Sequence, residues 1–359
     1  MLVELLVSVA IVLVLLGAVF GLVDPARGVP AVQSEAIDVQ QRQRAALGEL
    51  QRDLLMAGSG PYPGLRGTIA HLRPAVMPAL RGAAGNLTQG SDRVSVLYGP
   101  PGTSGAELAA PLSGSPANVA LLAGEGCAAL PCGLTEGRGG LALVYGVDGR
   151  SDLYRVADRT GATVTLEHVA AGAPAYAAGA LIAPVVIRGY YHDADAERLR
   201  VHNGSGSDLP VVEGVVGFAV RYFGVERLAA PPAVAPDARP LDPAVPPATD
   251  PIPPPPVNPP PVAAPCLAAT IPGGVPRESG IVELDLGLFT DGPWCGGGVA
   301  PFDIDLLRVR RVRVDITFRV NDDAWRRTGR LGPQRPGRAA PLRDVVASLD
   351  VAPRALVGW

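Results

Sequence analysis

The chain has 359 residues, a net charge of −3 and 48% hydrophobic residues. That is enough for one large or two modest domains, and the charge balance gives no general case for nucleic acid or an anionic membrane surface as partner. Lysine is absent, and aromatic residues make up only 5%, so the core has to be built mainly from Val, Leu, Ile and Ala.

The chain opens on "MLVELLVSVAIVLVLLGAVF", and from Leu5 to Val23 there are 19 consecutive residues without a charge. At about 1.5 Å per residue such a helix approaches the ~30 Å hydrocarbon thickness of a bilayer. The start Met-Leu-Val-Glu is not the basic region of a secretory signal, and the run ends at Asp24-Pro25 without a clear small-x-small cleavage site. A membrane anchor explains the length, but not why Glu4 stands at the head of the run, where a charge is costly. Asp24-Pro25 and Pro30 are expected to interrupt the helix, because proline removes a donor and clashes with the preceding turn. An amphipathic helix then resumes, with Val32, Ala36, Val39, Gln43, Ala46 and Leu50 on one stripe and Leu47 and Leu54 widening it. Gly58 is its natural stop.

After residue 60 the apolar pattern becomes alternating. Strands are expected at 93–98, 141–146, 152–157, 162–169, 183–192, 197–202 and 215–224, with Asp148-Gly149 and Arg159-Thr-Gly161 as hairpin turns. On the strand over 215–224, Val216, Phe218, Val220 and Tyr222 share one face. Residues 227–265 hold 16 prolines and read as an extended, solvated loop. Beyond it, "IVELDLGLF" (281–289) and "DLLRVRRVRVDITFRV" (305–320) read as strands. In 305–320, Val312, Val314, Ile316, Phe318 and Val320 share one face, while Arg311, Arg313, Asp315, Thr317 and Arg319 share the other. Leu307 and Val309 have the opposite parity, which predicts a bulge near Arg310-Arg311. The fold class is α+β: a long N-terminal helix on a mainly antiparallel β domain. The expected divisions are 1–23, 24–58, 59–226, the proline-rich 227–265, and 266–359, whose strands complete the domain.

Cys127, Cys132, Cys266 and Cys295 each lie near Gly or Pro, which suits two disulfides in an oxidising compartment. Free thiols and a metal site are the alternatives, although the spacing lacks paired C-x2-C knuckles. His192, Asp193, Asp195 and Glu197 bring metal-ligand types within six residues, at a position where a hairpin turn favours Asp for backbone reasons. His168 and His202 fall on strand faces and read as structural, and the pair Asp303 and Asp305 as a loop entering a strand. The arginines of 305–320 raise a DNA-binding reading, but a solvated sheet face explains them and no aromatic stacking platform accompanies them. No nucleophile elbow, phosphate loop or H-E-x-x-H is present, so no catalytic residue, cofactor or metal is expected.

The first segment resembles type IV pilins and pseudopilins, the prepilin-type methylation family. Leu2, Val3, Glu4 and Leu5 match the start of that family's mature helix, so the resemblance implies an assembly role for these four residues. Glu4 would neutralise the terminal ammonium of a neighbouring subunit and set register, two buried opposite charges offsetting each other's desolvation. Glu4 sits one place earlier than in a mature family member, and no Gly-terminated leader precedes Leu2. The expectation is therefore a start assigned too far downstream, or a trimmed terminus. "RDLLMAG", with Arg52, Asp53, Leu54, Met56, Ala57 and Gly58, resembles the end of this helix in PilW-like minor pilins. The strand around Arg310 to Val314 and the ending Pro353, Arg354 and Leu356 are similar more loosely. The resemblance implies a minor pilin of a type IV pilus, serving filament initiation, adhesion, twitching motility or DNA uptake. Its partners would be other major and minor pilins through the N-terminal helix, the inner membrane and the pilus assembly platform. It would be a single-pass inner-membrane protein with a periplasmic domain, later at the pilus or cell surface. A J-type minor pseudopilin of a type II secretion system and a membrane-anchored periplasmic binding module are the alternatives.

Overall fold

In a computed structural model the described residues are 2–60, 73–78, 93–123, 132–135, 140–146, 151–169, 175–204, 206–225, 280–289, 294–295, 302–320 and 344–356. Side chains are described for all of these except 20–33, 294–295 and 302.

One helix, α1 (Leu2–Met56), runs through 55 residues. The interruption expected at Asp24-Pro25 and Pro30 does not occur. Each proline deletes one backbone donor, and the rungs on either side carry the helix onward, as in apolar helices that tolerate proline. From Val39 the helix buries Val39, Ala46, Leu50 and Leu54, with Gln43 and Leu47 half-buried between them. Ala36, expected on this stripe, is exposed, so contact with the domain begins a turn later. Gly58 takes the left-handed conformation (φ 77°) just past the helix end, as its position predicted.

The strands, in chain order, are β1 (Val76–Met77), β2 (Arg93–Tyr98), β3 (Ala106–Leu108), β4 (Ala117–Ala123), β5 (Leu141–Tyr145), β6 (Ser151–Thr160), β7 (Thr163–His168) and β8 (Leu181–Asp193). They continue with β9 (Arg198–His202), β10 (Asp208–Glu213), β11 (Val215–Val225), β12 (Ile281–Leu284), β13 (Trp294–Cys295), β14 (Phe302–Asp303), β15 (Val309–Phe318) and β16 (Val345–Val351). All their pairings are antiparallel. Two segments expected as strand are 3-10 turns instead, 286–289 and 304–308, and Leu307 lies in the second.

The thirteen residues of β8 belong to two structures at once. Their first part pairs with β3 at Leu181–Ile182 and with β5 from Leu181 to Val185. With the ladder β3-β4-β7-β6-β5 this closes a six-stranded ring. A barrel this narrow is filled by side chains. Its interior holds Leu108, Val119, Leu121, Val144, Tyr154, Val156, Val164, Leu166 and Ile182. The second part of β8 pairs with β2 and β9 in an open sheet extended by β1 and β10.

A second open sheet has the order β12-β11-β15-β16. On β15, Val312, Val314, Ile316 and Phe318 are fully buried, and Arg311, Arg313, Asp315 and Thr317 point the other way, the alternation its sequence announced. The ladder with β11 passes from Phe223↔Arg311 to Gly224↔Val309, so Arg310 is the extra residue of the expected bulge. A second irregularity between Val215 and Gly217 puts Val215, not Val216, on the inner face with Phe218, Val220 and Tyr222. The main core lies between α1 and these two open sheets.

Candidate functional site

Leu2, Val3, Glu4 and Leu5 occupy the first turn of α1 and are all exposed. The window Leu2–Val19 is 0% buried and is long and apolar enough to cross a membrane; a signal sequence satisfies the same test. Glu4 stands where the backbone N–H groups of a helix start favour an anion. Its carbonyl accepts from Ser8 Oγ at 2.8 Å, so the single clearly polar side chain of the run is satisfied within the helix.

The other end of α1 carries the most developed polar cluster touching the helix. Asp53, 1% exposed, accepts from Tyr190 OH at 2.6 Å and from Tyr98 OH at 3.0 Å. Arg52 Nε lies 3.7 Å from one carboxylate oxygen, and Arg188 Nε 3.9 Å from the other. Tyr98 comes from β2, and Arg188 and Tyr190 from the same face of β8. The helix is thereby fastened to two adjacent strands by one carboxylate. Burial, then the charge and hydrogen bond of Asp53, push the Tyr98 hydroxyl up to about 12 and raise Tyr190 further. Just beyond, Gly58 N–H donates to Leu97 O at 2.8 Å and Gly99 N–H to Ser59 O at 2.5 Å. Arg52, Asp53 and Gly58 of the "RDLLMAG" segment thus make the corner where helix becomes sheet.

Arg42, a little earlier on the helix, pairs with Asp38 at 2.8 Å and Glu35 at 3.5 Å. Its guanidinium fills the space over Gly214 that any Cβ there would need, and Gly214 has φ 69°. A side chain at 214 would be strained by the backbone conformation and would have to displace the Arg42 guanidinium.

A second buried carboxylate, Asp152 of β6, lies on the same strand face as Tyr154 and Val156 of the barrel interior. It accepts from Tyr176 OH at 2.7 Å, and His168 Nε2 lies 3.4 Å from its other oxygen. The His168 ring meets Tyr154 at 5.0 Å between centroids. Arg73, 2% exposed, sits within electrostatic reach of Asp152 and Tyr176. Burial lowers its affinity for the proton and Asp152 opposes that effect. Its Nε has no hydrogen-bond partner among the described residues. Sequence reading placed His168 on a strand face but missed its company. Arg73 and Tyr176 come from irregular segments, and no periodicity marks them as inward-facing.

His192 and Asp193 end β8, and 194–197 form the turn into β9, with Glu197 in the left-handed region (φ 49°). Asp193 Oδ1 accepts from Ala196 N–H at 3.1 Å, His192 Nε2 lies 2.8 Å from Val215 O, and Glu197 pairs with Arg319. These side chains serve the turn and its neighbours, and no group of three or more potential metal ligands occurs among the described residues. Asp303 Oδ1 accepts from Asp305 N–H at 2.8 Å, which caps the 3-10 turn leading into β15. On the outer face of β15, Asp315 pairs with Arg221 at 2.8 Å and accepts from Ser348 Oγ at 2.5 Å. Arg311 lies over the Phe223 ring at 4.6 Å and near Asp350 at 3.4 Å. The arginines are thus interleaved with carboxylates. Cys132 is disulfide-bonded and Cys295 lies on β13, while Cys127 and Cys266 fall outside the described residues. His71, the turn at Asp148-Gly149 and the whole of 227–265 also fall outside them.

Comparison of the chain with protein families, with curated proteins and with solved structures finds no match.

Proposed function

We propose that this chain is a pilin-like filament subunit, a minor pilin of a type IV pilus. One observation carries the reading. The exposed apolar half of α1 and the half docked on the sheets are one continuous helix of 55 residues. At about 1.5 Å per residue it is a lever of about 80 Å. Its free half has the length and composition to lie in a bilayer, and in an assembled filament the same surface would pack against the helices of neighbouring subunits. Glu4 then acts at the lever's tip, matching the terminal ammonium of a neighbour, while the joint at Asp53 holds the globular part at a fixed place on the lever. The function is non-enzymatic: a subunit that helps start or build the filament and supports adhesion, motility or DNA uptake. A J-type pseudopilin of a type II secretion system would use the same parts with different neighbours.

The closed barrel, inserted in the chain between β2 and the end of β8, favours a second reading, a membrane-anchored periplasmic binding module, because packing α1 does not require it. One experiment separates the two. Glu4→Ala should leave membrane insertion intact and lower the amount of the chain in sheared surface filaments several-fold. Mass spectrometry of the N-terminal peptide should find a methylated terminus in those filaments. Unchanged filament content in the variant overturns the role of Glu4, and a chain found only in membranes, with an unmodified terminus, overturns the pilin reading.

A further inference from the structure

We propose that the Asn203-Gly204 peptide in the turn between β9 and β10 is a self-modification site, where the folded chain converts Asn203 to aspartate and isoaspartate. The chemistry is cyclisation: the backbone nitrogen of Gly204 attacks the side-chain carbonyl carbon of Asn203. Two obstacles normally make it slow, the reluctance of an amide N–H to give up its proton and the charge that develops on the carbonyl oxygen.

The turn addresses both. Gly204 N–H donates to His202 Nδ1 at 2.9 Å, so a ring nitrogen with a lone pair already holds the proton that must leave. Ser207 N–H donates to Asn203 Oδ1 at 3.0 Å, where the negative charge will form. His202 is 4% exposed and cannot swing freely away. The nucleophile also has to be glycine. Residue 204 has φ 74°, and a Cβ there would come within 3.0 Å of Ile187 Cβ, so no side chain stands over the attacking nitrogen.

The step balances without an outside oxidant or reductant. The Gly204 proton passes to His202 Nδ1 as the bond from Gly204 N to Asn203 Cγ forms, and the carbonyl pair moves onto Oδ1. Collapse of that oxyanion breaks the bond from Cγ to Nδ2, and His202 returns the proton to the departing ammonia. Water then opens the cyclic imide on either side, giving aspartate or isoaspartate. Each product adds a negative charge next to the pair His202↔Asp208, where Asp208 already holds Arg200 at 3.0 Å and Tyr191 OH at 2.5 Å. Isoaspartate also lengthens the backbone by a methylene and shifts the turn against that register.

The test uses the intact folded chain at neutral pH and body temperature, beside the same chain in concentrated guanidinium chloride. Peptide mass spectrometry follows amide-to-acid conversion at Asn203. The folded chain should convert on the order of tenfold faster than the unfolded one, the modest end of what a positioned base supplies. His202→Gln, which keeps a polar side chain but no ring base, should lose that advantage. Conversion in the folded protein that is no faster than in denaturant means the turn protects Asn203, and overturns the proposal. So does a folded H202Q protein that converts as fast as the wild type. If H202Q does not fold, the wild-type comparison decides alone.

Discussion

Asp53 and Asp152 are both buried carboxylates that accept a tyrosine hydroxyl, yet they sit in different halves of the molecule and answer to different partners. Asp53 stands at the helix–sheet corner with two tyrosines on it, and the two arginines nearby, Arg52 and Arg188, are themselves substantially exposed. Asp152 belongs to the barrel and faces a buried arginine and a buried histidine ring. A hydroxyl left without its acceptor is a neutral orphan, whereas a guanidinium left without its counter-charge is a buried ion, and the second costs far more. The same residue type therefore fastens helix to sheet through hydroxyls in one place, and in the other also sets the charge felt by a buried guanidinium.

Replacing Asp152 should have the largest effect. Asp152→Ala removes the acceptor of Tyr176 OH, the partner of His168 and the charge that offsets the burial of Arg73, with an expected loss of about 3 kcal/mol. Urea denaturation should show the barrel unfolding first. Removing both charges, Arg73→Met with Asp152→Asn, should restore most of that loss. A double variant as unstable as the single one would mean that Arg73 and Asp152 do not act as a pair.

Asp53→Ala comes next, at about 2 to 3 kcal/mol, from two hydroxyls losing their acceptor in a buried site. Hydrogen exchange should locate the damage. Amides of residues 39–57 and β2 should exchange faster, while β6 and β7 in the barrel keep their protection. Equal loosening of both halves would show that the joint is not local.

How much of this was visible in the sequence follows the same division. Most of β11 and β15 could be read from alternation, and the bulge at Arg310 from a parity switch, because these strands have one more exposed face and one dry one, whereas β2 and β8 are buried on both faces and were legible from their β-branched and aromatic content. β3, β4 and β10 were not anticipated. β3 is only three residues long, and β10 carries a proline and a bulge that blur its period. The continuous helix contradicted a sound local rule about proline, since two missing donors do not outweigh the turns around them. Asp53 was singled out by its motif, but its partners Tyr98 and Tyr190 lie 45 and 137 residues away, a pairing that only the fold creates. The closure of the barrel was equally hidden, because it depends on β8 changing neighbours midway.

The helix joint should also respond to alkali. Tyr98, held up to about 12 against an ordinary 10.0, binds its proton more tightly in the folded chain than in the unfolded one. Its contribution is complete below pH 10.0 and is lost as the pH rises from there toward about 12. Tyr98→Phe removes a hydrogen bond worth about 1 kcal/mol at neutral pH, and should flatten the fall in stability across that alkaline range. A slope unchanged in Y98F would assign the alkaline loss to other groups.

The smallest effect belongs to the solvated face of β15, and its sign is opposite. The Ser348 hydroxyl, then Arg221, hold Asp315 below its ordinary 3.8, with burial pulling the other way. A carboxylate lowered in this way stabilises the fold above its unfolded value, and that stability is lost as the pH falls through the folded value. Water and salt screen the pair with Arg221, so Ser348→Ala should change stability by no more than about 0.5 kcal/mol at neutral pH. It should nevertheless shrink the acid-side loss, because it removes the leading cause of the shift. Stability of S348A measured against pH separates the two contributions. An acid limb identical to the wild type would place the hold on Asp315 with Arg221 instead, and would make this face an ion-pair lattice in which the hydroxyl is incidental.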